Sequence, residues 1–133
     1  MTINVKWNTE CQFKITTNKG FELNVDANNQ AAPCPTELLL SALGSCSATD
    51  VVLQLQQQGY AIQSLQNEVS YTLTDEEPRL YKTANLHFSV KAPNMTEAVI
   101  IEAANQAIEK YCHVCLMLSP TIEISVSATV LLN

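Results

Sequence analysis

The sequence predicts an α+β domain with elements in the order βββ-α-ββ-α-β. Three observations predict it. The first quarter of the chain alternates apolar and polar residues with period two, broken by turn residues. A long apolar segment then opens with a helix-start signal at Pro35-Thr36-Glu37. Later, a second stripe at helical spacing separates two further alternating regions.

The elements follow in order. Ile3, Val5 and Trp7 share one face of a first strand. Cys11, Phe13 and Ile15 share a face of the second, and Phe21, Leu23 and Val25 of the third, after the Asn18-Lys19-Gly20 turn. This reads as an antiparallel meander. Residues 26–35 form a loop, because Pro33 and Pro35 prevent strand pairing. Pro35 suits the first turn of a helix, and Thr36 is the expected N-cap. The helix runs to about Gln58, where Gly59 stops it. Val69, Tyr71 and Leu73 mark one strand of a hairpin, turning through Asp75-Glu76-Glu77-Pro78. Leu86, Phe88 and Val90 mark the other. Asn94 and Glu97 read as a capping box for a second helix. Its expected stripe is Ala98, Ile101, Ala104, Ile108, Tyr111, Cys112 and Cys115, ending at Ser119-Pro120. Ile122, Ile124, Val126, Ala128, Val130 and Leu132 alternate along a closing strand. A six-stranded sheet covers one face of the first helix. That helix is apolar on several faces and must be buried. A second copy of the chain is the expected cover, which makes a two-fold homodimer.

The chain has 133 residues, the size of one domain, so residues 1–133 are read as a single unit. Its net charge is −6, and its seven basic residues are scattered. An acidic chain repels a phosphate backbone, so no nucleic-acid partner is expected. No basic region followed by an apolar run opens the chain, so no signal peptide is expected. Ser41, Ser45, Ser47, Thr49, Asp50 and Gln54 make residues 38–55 too polar for a membrane span. The expected setting is the cytoplasm, with no membrane partner.

Five cysteines, an odd number, argue against a disulfide framework. Cys46 sits mid-helix among small residues, and is either core filling or a shielded reaction centre. Asp50 lies one turn on, and a carboxylate there disfavours a thiolate, so a reactive Cys46 needs a cation or donor from elsewhere. Cys112-x-x-Cys115 is half a zinc site, and Cys34, Cys46, His87 and His113 complete no recognisable ligand spacing. No metal and no cofactor are expected. The same motif falls at the far end of the second helix, where the dipole disfavours a thiolate. Cys34 reads as a surface thiol, and Cys11 as core. His87 is expected to be exposed or half-buried, opposite Leu86 and Phe88. His113 reads as structural.

The run Pro-x-Glu-Leu-Leu-Leu leading to Ala-Leu-Gly-Ser-Cys-Ser, followed later by Glu-Lys-Tyr-Cys-x-Val, resembles the OsmC/Ohr family of thiol peroxidases. Residues 35–53, 78–90 and 109–118 look closest to its short YhfA-like branch. The resemblance implies an OsmC-like fold with a long buried central helix, an intertwined homodimer and reduction of organic hydroperoxides. It implies Cys46 as the attacking thiol and Cys112 as its disulfide partner. An external dithiol then restores both. Cys115 falls where the family usually has a small residue and is a possible additional thiol. Leu39 and Leu43 would line an apolar channel for the substrate. The family's activating arginine has no counterpart in the N-terminal strands, whose only cations are Lys6 and Lys14. Arg79 is the candidate substitute. Glu37 stands one place after the family's glutamate and is the second possible activator. The alternative is a small-molecule or lipid-binding protein on the same fold with little or no peroxidase activity.

Overall fold

The structure is a computed structural model that describes residues 1–132. Six strands and three α-helices follow the predicted order, with the second helical region broken in two. The strands form two separate three-stranded sheets, β1-β2-β3 and β4-β5-β6, and not one sheet of six. Contacts divide the chain into two compact units, residues 1–41 and residues from 42 onward, with the boundary inside the first helix.

In the first unit, β1 (Asn4–Thr9), β2 (Gln12–Thr16) and β3 (Glu22–Asp26) make the expected antiparallel meander. Val5 pairs with Ile15, and Ile15 with Leu23; Trp7 pairs with Phe13, and Phe13 with Val25. The apolar alternation therefore gathers on one face of the sheet. Val25 on that face is buried, whereas Val5 and Trp7 remain 56% and 62% exposed, so the outer part of the face is uncovered. Cys11 lies in the β1–β2 turn, half-buried, and not on a strand face as expected. Asp26 organises the loop that follows. Its carboxylate accepts the backbone N–H groups of Asn28, Gln30 and Ala31. These bonds, that from Ala31 foremost, hold its pKa below the usual aspartate value.

Helix α1 (Pro35–Gln57) has Pro35 as its first residue, so Cys34 and not Thr36 is the residue before it. The Glu37 carboxylate reaches back to the Cys34 N–H at 3.1 Å, the reciprocal half of a capping box. The helix is about 35 Å long. Gly59, at φ 94°, supplies the left-handed residue that ends it, and the Tyr60 N–H returns to the Leu55 carbonyl at 3.0 Å. By length and composition α1 could cross a membrane, with mean hydropathy 1.5 over its most apolar stretch. Its hydroxyls do not make it polar in the way the sequence reading assumed. Ser41, Ser47 and Thr49 each donate to the carbonyl one turn back at 2.8 Å, so their hydroxyls are satisfied within their own helix, Ser47 buried and the other two exposed. Only 28% of that stretch is buried within the single chain.

In the second unit, β4 (Ser64–Leu73) and β5 (Tyr81–Lys91) form the expected hairpin. The strand β6 (Glu123–Val130) lies parallel to β5. Ala84, Leu86, Phe88 and Val90 of β5 are fully buried and form the core. The opposite face of β5 carries a polar ladder. Asn85 donates to Ser125 Oγ at 2.9 Å, and the ring nitrogens of His87 bond Ser127 and Thr129 at 2.6 and 2.8 Å. His87 is thus half-buried, as its alternation implied.

Helix α2 (Glu97–Gln106) is capped by Thr96, whose hydroxyl accepts the Val99 N–H; Asn94 instead takes a left-handed conformation at φ 63°. Its buried residues are Ile100, Ala103 and Ala104, with Ala107 following. Ala98 is exposed and Ile101 only half-buried, so the buried stripe is rotated by one residue from the expected one. A π-helical turn, Ala107–Tyr111, then widens the helix, and Cys112 breaks it at ψ 108°. Helix α3 (His113–Leu118) starts afresh after the break.

Candidate active site

The break between α2 and α3 builds the site. Because it resets the helix, Cys112 becomes the N-cap of α3 and Cys115 its third residue. The Cys112 sulfur accepts the Cys115 N–H at 3.4 Å. The Cys-x-x-Cys motif therefore stands at a helix start, and not at a helix end as the uninterrupted stripe suggested. Both cysteines are fully buried.

The middle of α1 supplies the other half. Its buried stripe within the second unit is Leu43, Gly44, Ser47, Val51 and Leu55, at helical spacing. Gly44 lets β4 come close, for a Cβ placed there would lie 2.9 Å from Val69 Cγ2. Asn67 of β4 secures the approach by donating to the Gly44 carbonyl at 3.0 Å and to Ser47 Oγ at 3.3 Å. The sequence reading passed over Asn67. Its signal was a polar residue at an apolar position of the period, two before Val69. Cys46 and Asp50, one turn apart, sit beside this stripe, both half-buried.

Cys46, Asp50 and Cys112 converge. Their sulfur and carboxylate oxygen atoms all lie within 4.8 Å of one another. Burial pushes the Cys112 thiol above its ordinary pKa, its bond with Cys46 pushes the same way, and the Cys115 N–H partly offsets both. Cys112 therefore holds its proton and can donate it toward the Cys46 sulfur. Burial pushes Cys115 up as well, helped by Cys112, Cys46 and Asp50. No cation acts on Cys112 or Cys115 among the described residues. All five cysteines are free thiols.

The remaining predicted residues are placed as follows. Arg79 lies exposed after β4, its Nε donating to the Thr74 carbonyl at 3.3 Å. Glu37 is engaged in capping its own helix. Leu39 is 39% exposed, while Leu43 is fully buried in the core. Cys34 sits half-buried with its sulfur 3.4 Å from Thr36 Oγ1. His113 is the exposed first residue of α3.

Two sheets, a long central helix and a pair of converging thiols on separate helices define an OsmC-type α+β protein. The family model for OsmC-like proteins matches residues 27–127, and this chain belongs to that family. It is 34% identical to Protein YhfA of Escherichia coli strain K12 over 126 residues, covering 94% of each chain. A solved structure of an OsmC-like protein from Mycoplasma pneumoniae superposes with a TM-score of 0.83 at 20% identity, covering 98% of this chain and 96% of the other. The organic hydroperoxide resistance protein OhrB of Bacillus subtilis shares the fold with a TM-score of 0.67 at 18% identity, covering 97% and 98%.

Proposed function

We propose that this protein is a cysteine-based reductase of organic hydroperoxides. The observation that carries the reading is the approach of Cys46 and Cys112 from two helices, with sulfurs no more than 4.8 Å apart. The Cys46 thiolate attacks the terminal oxygen of the hydroperoxide. The O–O bond breaks, the alcohol leaves, and Cys46 becomes a sulfenic acid. Cys112 gives its proton to the leaving oxygen and then attacks the Cys46 sulfur, releasing water and forming the disulfide. Two thiols are oxidised and one peroxide is reduced to alcohol and water. An external dithiol resets the pair by exchange.

The reading extends to assembly and setting. The protein acts as a homodimer in the cytoplasm, the second copy covering apolar surface that one chain leaves open. Val5, Trp7 and Leu53, each more than half exposed, support that part. Arg79 is the activating cation to test first, since it is exposed and is the sole arginine. A second reading, a binding protein for an apolar small molecule or lipid, draws on the absence of a cation acting on Cys112 or Cys115 among the described residues.

Treating the reduced protein with cumene hydroperoxide and mapping disulfides by mass spectrometry separates the two. The expected result is stoichiometric peroxide loss with a Cys46–Cys112 bridge, abolished by Cys46→Ser. Persistence of the peroxide with five reduced thiols would reject the reductase and leave the binding protein.

A further inference from the structure

Asp50 has no role in the thiol chemistry above. A carboxylate beside two sulfurs disfavours their ionisation, yet the fold brings its oxygen within 4.8 Å of both. It enters no ion pair among the described residues, where the single ion pair joins Lys14 and Glu22. Two soft sulfur donors and one carboxylate, with no neutralising cation, form a donor set suited to a zinc-like ion.

The geometry agrees. Zinc binds thiolate sulfur at about 2.3 Å and carboxylate oxygen at about 2.0–2.2 Å. Donors on one tetrahedral ion are then roughly 3.5–4 Å apart. From their 4.8 Å limit the three atoms here need to close by roughly 1 Å. Cys46 and Asp50 are held at i and i+4 on the long helix α1, so two ligands share one rigid face. Cys112 comes from the helix break, and the Cys115 N–H on its sulfur orients it from outside. Three protein ligands leave the fourth tetrahedral position to water.

We propose that the reduced protein binds one zinc-class divalent ion through Cys46 Sγ, Cys112 Sγ and the Asp50 carboxylate. Once deprotonated, the two thiolates and the carboxylate carry three negative charges, which the ion reduces to one. Binding releases the two thiol protons to solvent. The same two sulfurs cannot hold the ion and a mutual disulfide, so metal binding and oxidation exclude each other. Occupancy shields the thiols. Loss of two electrons from them to a disulfide-forming oxidant such as diamide, which takes up two protons and becomes the hydrazine, expels the ion. The site stands on its donor geometry and does not depend on hydroperoxide turnover.

The test titrates full-length, reduced, metal-free protein anaerobically with Co²⁺, followed by Zn²⁺. The expected result is one cobalt per chain with a sulfur-to-cobalt charge-transfer band, bleached by one equivalent of zinc. Cys46→Ser and Cys112→Ser should each lose the band. Asp50→Asn should weaken binding by at least about tenfold while all five thiols remain titratable and circular dichroism is unchanged. Cys115→Ala should keep the band, and diamide-oxidised protein should show none. The proposal is overturned if no stoichiometric thiolate band appears. It is equally overturned if Asp50→Asn binds as tightly as the parent, or if the band survives Cys46→Ser and vanishes in Cys115→Ala, which would put the ion on Cys112 and Cys115.

Discussion

Replacing Gly44 by Ala probes how the chain holds Cys46 in place. Gly44 is mid-helix, so alanine alone would favour the helix by about 1 kcal/mol. The structure opposes this gain. The new Cβ would meet Val69 Cγ2 at 2.9 Å, whereas relaxed carbon contacts lie at about 3.5–4.0 Å. Valine is stiff at χ1 and cannot swing its methyl aside cheaply. Either β4 or α1 must therefore move by something under about 1 Å, at an overpacking cost of about 1–3 kcal/mol. A shift also stretches the Asn67 bond to the Gly44 carbonyl, now 3.0 Å, worth about 1 kcal/mol. The net expectation is a destabilisation of about 1–3 kcal/mol. Urea melts of Gly44→Ala, Val69→Ala and the double variant read it directly. The double variant should recover at least about 0.5 kcal/mol relative to additivity, because the offending methyl is gone. Peroxide-driven disulfide formation should slow in Gly44→Ala, since Cys46 is two residues from the displaced point. A Gly44→Ala protein more stable than the parent, with additive double-variant behaviour, would refute the reasoning.

Two further outcomes follow from the first unit. The Asp26 carboxyl is held below its unfolded pKa by three backbone N–H groups, Ala31 first. Its contribution is therefore full above the unfolded value of about 3.9 and lost as pH falls through the lower folded pKa. Acid titration of stability should be shallower in Asp26→Asn, and an unchanged profile would remove Asp26 as its cause. Trp7, 62% exposed on the open face of the β1–β3 sheet, should be part of the proposed dimer contact. Trp7→Lys should shift the protein to monomer in sedimentation at concentrations where the parent is dimeric; an intact dimer would move the interface elsewhere.

Most of the secondary structure was legible because its signals are local. Period-two alternation marked the strands of the meander and the hairpin, and Pro35 and Gly59 marked the limits of α1. The second helix was misread at its centre for a local reason too. Its apolar spacing continues through Ala104, Ile108, Cys112 and Cys115, yet the chain inserts a π-turn at Ala107–Tyr111 and restarts at His113. Spacing alone cannot reveal the extra residue in a wide turn. That one residue rotates the buried stripe and turns Cys112 from a residue near a helix end into an N-cap.

Residue types left Cys46 open between core filling and a reaction centre, and it was the resemblance to the OsmC/Ohr family that paired it with Cys112. Cys46 among small residues, Asp50 one turn on and Cys112 in its motif were all visible, as was the need for a donor to Cys46. What only the tertiary structure decided is which groups meet. Helix α1 fixes Cys46 and Asp50 relative to each other because both lie on one rigid face. Bringing Cys112 to within 4.8 Å of both depends on the break before α3. The position of α1 against β4, set at Gly44 and Asn67, is a second fact of packing. Both are long-range facts of packing, and no local periodicity encodes the distance between two helices.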